Sequence, residues 1–448
     1  MPSTETLPPG AHPEVPVYLP TGDAEGSFKA FQADPIGYHL KGYATHGAIY
    51  QTWFRNRWWI AIGGLEANDF VWSNPDLWSY TEANAPFLDE MGDDHVTALE
   101  GDHHEQKRAI LKPAFTKRAA MRFLPRQNAF YRDLMQRQLA SGERIELVHF
   151  WTEQITRLNA RTVAQADIPD EAFADMAVWE VLFLRGLFLD DARPPYIERE
   201  RYRKLKEKTL GIFRRIVDER LEDPDVIDDN FGAVLKNRIE VEGPHPDRTR
   251  LVNDLYFVLL AGGDNISALN NYALTFLFHP ENAGWLARLR EEVDAWDPDD
   301  AEGVMNLHRV KATVMETQRI RPGAFVLNKK NKRAFTFNGY EISEGTDILH
   351  LNNLGHFLEE LYPDPFTFNP ERFMEKQRFV PKSFGFFGGG SHVCLGRNHA
   401  LIHTPLALAH LVRAGDLVFD DPIDLHPRAS YSAGRIERQL WARLVPRG

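Results

Sequence analysis

The sequence predicts a mainly α-helical fold with a smaller β portion, organised as one large domain. Three observations predict it. Residues 102–300 are dominated by a 3.6-residue hydrophobic period, clearest over 126–140, 149–165, 199–221 and 250–279. Short aromatic and β-branched runs occupy 49–54 and 58–62 and stop at Gly63-Gly64. Residues 321–350 switch to short strand-like pieces with turn dipeptides at Asn338-Gly339 and Glu344-Gly345.

In chain order, residues 1–27 are polar and carry Pro8, Pro9, Pro13, Pro16 and Pro20, which reads as an extended N-terminal arm, with the domain proper at 28–448. Neither the basic start nor the apolar stretch of a signal peptide is present. After the helical and strand-like regions, 360–392 is rich in Pro, Gly and Phe with little periodicity. A helix then follows Cys394 over 397–412, and the tail from 415 is again strand-like. There is no internal repeat.

Composition narrows the function classes. With 43% hydrophobic residues, 29 Phe and 10 Trp, the chain can build a large core or an apolar ligand pocket. A net charge of −12 gives no general attraction to nucleic acid or anionic membrane. No apolar run reaches the 18 residues of a membrane span, so no span is expected; the expected protein is soluble, cytoplasmic and monomeric. A single cysteine excludes an intrachain disulfide and any multi-cysteine zinc or iron–sulfur site.

That cysteine lies in the most informative stretch, Phe387-Gly388-Gly389-Gly390-Ser391-His392-Val393-Cys394-Leu395-Gly396. Glycines let a backbone approach closely, and N–H groups at a helix start stabilise a thiolate. His392 is placed to donate to an anionic group. A lone cysteine beside a tight turn is ordinarily just buried. A phosphate loop does not fit, because no Lys-Ser/Thr follows the glycines. The pattern Phe387, Gly390, Cys394, Gly396 resembles the signature of the cytochrome P450 family, and this composition would place such residues round a given cysteine with a chance of about 3 × 10⁻⁴.

Further segments match in order, so the resemblance covers about residues 35–445. His104 and Arg108 are four apart and share a helix face. Alone they would be a solvated pair; the resemblance implies that they bind heme propionates. Glu316 and Arg319, with Arg372 of Pro370-Glu371-Arg372-Phe373, match a buried structural charge group. Leu259-Leu260-Ala261-Gly262-Gly263-Asp264-Asn265 matches the central helix over the distal heme face, where the resemblance implies that the glycines leave room for dioxygen and an acid–alcohol pair delivers protons. Two adjacent glycines in a helix equally fit close helix packing. Here the acid is Asp264, and Asn265 replaces the usual threonine; Ser267 points elsewhere on a regular helix. Where the family often has a propionate-binding arginine, this chain has Asn328-Lys329-Lys330.

The resemblance implies heme b, with Cys394 as the iron ligand and His104, Arg108, His392, Ala261, Gly262, Phe387, Gly388 and Gly396 around it. It implies Asp264 and Asn265 as the catalytic pair of a monooxygenase inserting one oxygen atom of O2 into an apolar small molecule. Phe87, Leu88, Leu260, Phe325 and Val326 are candidate substrate contacts, each equally readable as core. The segment 181–189 is a candidate pocket roof. Electrons are expected from a separate ferredoxin and ferredoxin reductase, docking at Lys376, Arg378, Lys382 and Arg397. Two other readings stay open: a heme-thiolate isomerase or dehydratase needing no external electrons, which Asn265 favours, and a non-catalytic heme protein.

Overall fold

The computed structural model describes residues 9–54, 57–187, 193–223, 228–374, 381–423 and 439–447. Two short helices open it, α1 (Ala24–Ala33) and α2 (Pro35–His46). Each is capped by an aspartate, Asp23 or Asp34, whose carboxylate accepts the N–H of Gly26 or Gly37. The arm read over 1–27 is therefore shorter than expected: helix begins at Ala24. Val15 and Tyr18 are buried, and the Gln51 amide donates to the carbonyls of His12 and Val15.

β1 (Ile49–Phe54) and β2 (Arg57–Gly63) pair antiparallel, and α3 (Leu65–Ser73), α4 (Tyr80–Ala83) and α5 (Ala85–Met91) follow. The helical body begins with α6 (Gly101–Phe115), α7 (Lys117–Arg122) and α8 (Leu124–Ser141). After β3 (Arg144–Glu146) come α9 (Leu147–Thr162), α10 (Ala172–Gly186), α11 (Arg193–Ile197), α12 (Glu200–Glu222), α13 (Asn230–Glu242), α14 (Arg248–Leu259), α15 (Gly263–Leu277), α16 (Ala283–Ala295) and α17 (His308–Ile320). Then β4 (Leu327–Lys330), β5 (Phe335–Phe337), β6 (Tyr340–Ile342) and β7 (Asp347–Leu351) precede α18 (Arg397–Ala414), and β8 (Asp416–Phe419) and β9 (Trp441–Val445) close the chain.

The four-stranded sheet runs β1-β2-β7-β4, with β2 parallel to β7 and Ile60 opposite Ile348. Alternate residues face opposite sides. Tyr50, Trp59, Ala61 and Leu349 enter one core with Tyr38 and Phe357, while Ile49, Ile60, Ile62 and Ile348 enter another with Val71 and Trp78. Asn338 (φ 47°) and Gly339 (φ 84°) both adopt the left-handed conformation that the tight β5–β6 turn requires.

The helices share two larger cores. One gathers α8, α15, α16, α17 and α18, the other α6, α10, α12, α13 and α14, with α9 contributing to both. The single helix expected over 250–279 is two. Ala261 N–H bonds Tyr256 O, five residues back, at 3.2 Å, and Gly263 N–H bonds Leu260 O, three back, at 2.6 Å. The ladder thus widens and then tightens between α14 and α15.

Glu316 and Arg319 on α17 are fully buried and pair at 2.7 Å. Arg319 also donates to the carbonyls of His356 (2.8 Å) and Pro365 (2.7 Å), and Arg372 lies 3.4 Å from Glu316. Removing one partner leaves an uncompensated buried charge, so Arg319→Leu is expected to cost about 3–5 kcal/mol in chemical denaturation. A loss below about 1 kcal/mol would contradict this role.

Candidate active site around Cys394

The loop before α18 places Cys394 by two local devices. Gly388 (φ 68°) makes the turn that returns its N–H to Gly385 O at 2.8 Å, and Cys394 N–H then bonds Phe387 O at 2.9 Å. A side chain at Gly389 would run into the Trp72 ring, 2.3 Å from where a Cβ would sit, and one at Gly390 into the Trp72 backbone at 2.8 Å. The glycines thus seat the loop on Trp72 of α3.

The Cys394 side chain is exposed to solvent although protein surrounds it closely. Burial pushes the thiol pKa up. The N–H groups of Gly396 and Arg397 point at the sulfur and oppose that shift, as do the Arg108 and Arg397 charges. A thiol so placed is neutral until a cation binds it, after which the same donors stabilise the thiolate.

Beside it, His104, Arg108 and His392 come together as the sequence suggested, and Lys329 of β4 joins them. The His392 ring stacks between Tyr80 (3.4 Å) and His104 (3.7 Å). Arg108 donates to Val393 O at 2.9 Å. Lys329 is buried with its ammonium 4.0 Å from the Tyr80 ring centre, and burial lowers its pKa to about 7. Burial and then Arg108 lower the His104 pKa to about 4, and its Nε2 is buried without a hydrogen-bond partner. No carboxylate pairs with any of these four groups among the described residues. A dense set of donors lacking an anion, next to an accessible thiol, fits a heme with its carboxylates against these donors and its iron at the sulfur. Lys329 supplies a point charge where the arginine of the resembling family is missing. His103, the neighbour of His104, is half exposed and lies 3.4 Å from Asp94.

The break between α14 and α15 carries the distal side. Phe257, Ala261 and Asn265, one turn apart, are the more open positions of an otherwise buried stretch, with Gly262 also part-open, and so mark the helix face that borders open space. Ala261 and Leu395, the neighbour of Cys394, both pack on the edge of the same core. Asp264 is buried in the first turn of α15, and its N–H donates to Glu180 Oε1 at 3.2 Å. Glu180 on α10 is itself fully buried, and a Cβ at Gly263 would stand 2.6 Å from its Oε2. Gly263 is therefore glycine because it admits a carboxylate to a helix N-terminus. Sequence reasoning missed Glu180; the available signal was one acid inside an apolar helix, Val178-Trp179-Glu180-Val181-Leu182. Ser267 is turned away, donating to Val148 O at 3.0 Å.

Of the candidate substrate contacts, Phe87 and Leu88 on α5 and Val326 are part-open. Leu260 and Phe325 are buried. Leu260 is fully buried in the second helical core, and Phe325 packs with Phe357 and His39 against the sheet. Phe257 occupies the open face instead. Of the proposed roof, 188–189 lie outside the described residues. Lys376 and Arg378 do too; Lys382 is paired with Asp69, and Arg397 is exposed.

The cytochrome P450 family profile matches residues 31–425. A putative cytochrome P450 135B1 from Mycobacterium tuberculosis is 26% identical over 356 residues, covering 77% of this chain and 73% of that one. Cytochrome P450 85A1 of rice is 25% identical over 338 residues, covering 72% and 71%. In structure, a retinoic-acid-bound cyanobacterial CYP120A1 superposes with a TM-score of 0.80 at 20% identity, covering 93% of this chain and 96% of that one.

Lys329 generates a pH prediction for the heme-free protein. Its folded pKa of about 7 lies below the ordinary lysine value of 10.5, so between these limits the unfolded chain binds more protons. Stability should therefore rise with pH across that window, by up to about 1.4 kcal/mol per pH unit. Denaturant titrations of wild type and Lys329→Met at pH 7 to 10 check it: the variant should lose that part of the slope, and equal slopes would refute it.

Proposed function

The chain belongs to the cytochrome P450 family and is thus a heme-thiolate monooxygenase, and on that premise we propose that it hydroxylates an apolar substrate held against the open face of α14 and α15. The observation that carries this reading is the chain's single thiol, exposed though closely surrounded by protein, with two backbone N–H groups aimed at it and four hydrogen-bonding side chains beside it that no carboxylate pairs with among the described residues. When bound, heme b supplies the oxygen-activating chemistry, which a thiolate ligand promotes by pushing electron density to favour O–O cleavage.

The protein's own residues do the rest. Cys394 would hold the iron, and the Gly396 and Arg397 N–H groups would stabilise its thiolate charge. His104, Arg108, Lys329 and His392 are the groups that would hold the heme carboxylates. Asp264 moves protons, and Asn265, whose amide both donates and accepts, holds a water in line in place of the missing hydroxyl. Glu180 keeps the helix break open by accepting the Asp264 N–H. Phe87, Phe257 and Ala261 give the pocket its apolar character. Electrons come from a separate ferredoxin and its reductase, approaching the cysteine-loop face where Arg397 is exposed. Among the described residues no helix is long and apolar enough to cross a membrane.

The ferrous–CO spectrum tests the core of this reading: wild type should show a strongly red-shifted Soret band that Cys394→Ala loses. Product formation should require reductant; turnover without it would favour the isomerase reading instead. Asp264→Asn should keep the CO band and lower turnover by about 10²-fold or more. Unchanged turnover would remove Asp264 from the proton path.

A further inference from the structure

Buried histidines in this protein are almost all partnered. His39, His350, His356, His399, His403 and His410 each have a ring nitrogen in a hydrogen bond with the protein. Among the described residues His104 and His95 are the buried exceptions. His104 is accounted for by the anion that its cluster lacks. His95 is not, and both of its ring nitrogens are buried with no hydrogen-bond partner. Each such group costs about 1–3 kcal/mol, so a native chain that keeps two at one side chain calls for a reason.

The position of His95 is held from next door. Asp94 is buried in a charge cluster with Lys107 (2.5 Å) and Arg238 (2.6 Å), both of which also pair with Asp254 of α14, at 2.6 and 2.8 Å. That cluster ties the loop before α6 to α6, α13 and α14 and leaves His95 little freedom to turn away. The imidazole stacks on Phe87 at 4.5 Å and lies 4.9 Å from the ring of Phe257. Those two neighbours are part-open, and Phe257 heads the stripe that continues to Ala261 and Asn265. His95 itself is buried, and the Phe87 and Phe257 rings are what stand between it and the open face.

We propose that His95 is the polar anchor of the substrate pocket, hydrogen-bonding a hydroxyl or carbonyl oxygen at one end of an otherwise apolar substrate. This rests on the pocket assigned above and narrows it to molecules with a neutral oxygen function. Burial, and then Lys107, hold the imidazole neutral, with its pKa lowered to about 3 against the opposing pull of Asp94. It therefore offers one donor and one acceptor and gains no charge pairing with a carboxylate. A site built to hydrogen-bond an oxygen rejects the analogue lacking it, because its own groups then stay unpaired.

Matched probes test this on the heme-loaded protein: n-dodecane against 1-dodecanol, limonene against perillyl alcohol, and cholestane against cholestanol, with Kd read from the change in heme spectrum and by equilibrium dialysis. In wild type at least one alcohol should bind about tenfold more tightly than its hydrocarbon. His95→Phe should bring that gap within about twofold, leave hydrocarbon binding intact and not lower Tm, since it removes two unsatisfied nitrogens. His95→Gln, which keeps a donor and an acceptor, should retain most of the gap. If His95→Phe does not fold, His95→Leu carries the same comparison. An unchanged gap in the apolar variant, or no pair distinguished by wild type, overturns the proposal. Failure of the underlying heme-thiolate reading is seen separately, as absence of the red-shifted CO band in wild type.

Discussion

Arg319 is the constraint on which the site depends. Its guanidinium is spent on Glu316 of its own helix and on carbonyls of His356 and Pro365, beyond the sheet. His356 returns the contact, its Nδ1 meeting Arg319 O at 3.0 Å while its Nε2 accepts the N–H of Gly385 at 3.1 Å. Gly385 O in turn closes the turn of Gly388, from which the cysteine loop departs. Burial and the Arg319 charge hold the His356 pKa at about 3, so the ring stays neutral and the bridge is insensitive to ordinary pH. A loop poor in regular structure thereby inherits the rigidity of α17.

Polar groups in this interior fall into two kinds. Most are satisfied by the protein, as in the Asp94–Lys107–Asp254–Arg238 cluster, where each charge has opposite charges at hydrogen-bond distance. Others keep part of their hydrogen-bonding capacity unused; beside Cys394, His104, Arg108, His392 and Lys329 have no carboxylate partner among the described residues. Desolvating them is unfavourable in the isolated fold, and that cost is recovered when a ligand with the complementary charge enters. The same logic explains why Lys329 is tolerated at a buried strand position.

Much of the fold was legible in the sequence because periodicity is a local signal. β1 begins and ends at Ile49 and Phe54, α8 extends the run at 126–140 by only two residues before it and one after, and the Asn338-Gly339 turn has the backbone its residues demand. At the site, Cys394, His104, Arg108, His392 and Asp264 could be picked out by motif. What stayed hidden depends on distant partners. The helix break is stabilised by Glu180, more than eighty residues before Asp264. The need for glycine at Gly389 comes from Trp72. Leu260 and Phe257 are both apolar members of one helix, and only the neighbours each meets decide that the first is core and the second faces open space.

The interruption between α14 and α15 also divides the molecule. Leu251, Leu255 and Leu259 pack in one core, while Leu269, Leu274 and Leu277 pack in the other, so the break falls where the central helix passes between them. α9 contributes to both cores, so they stay joined across the break, and the widened turn at 260–262 relaxes the ladder only where the central helix passes from one to the other. A ligand seated at that turn would meet side chains anchored in both cores at once.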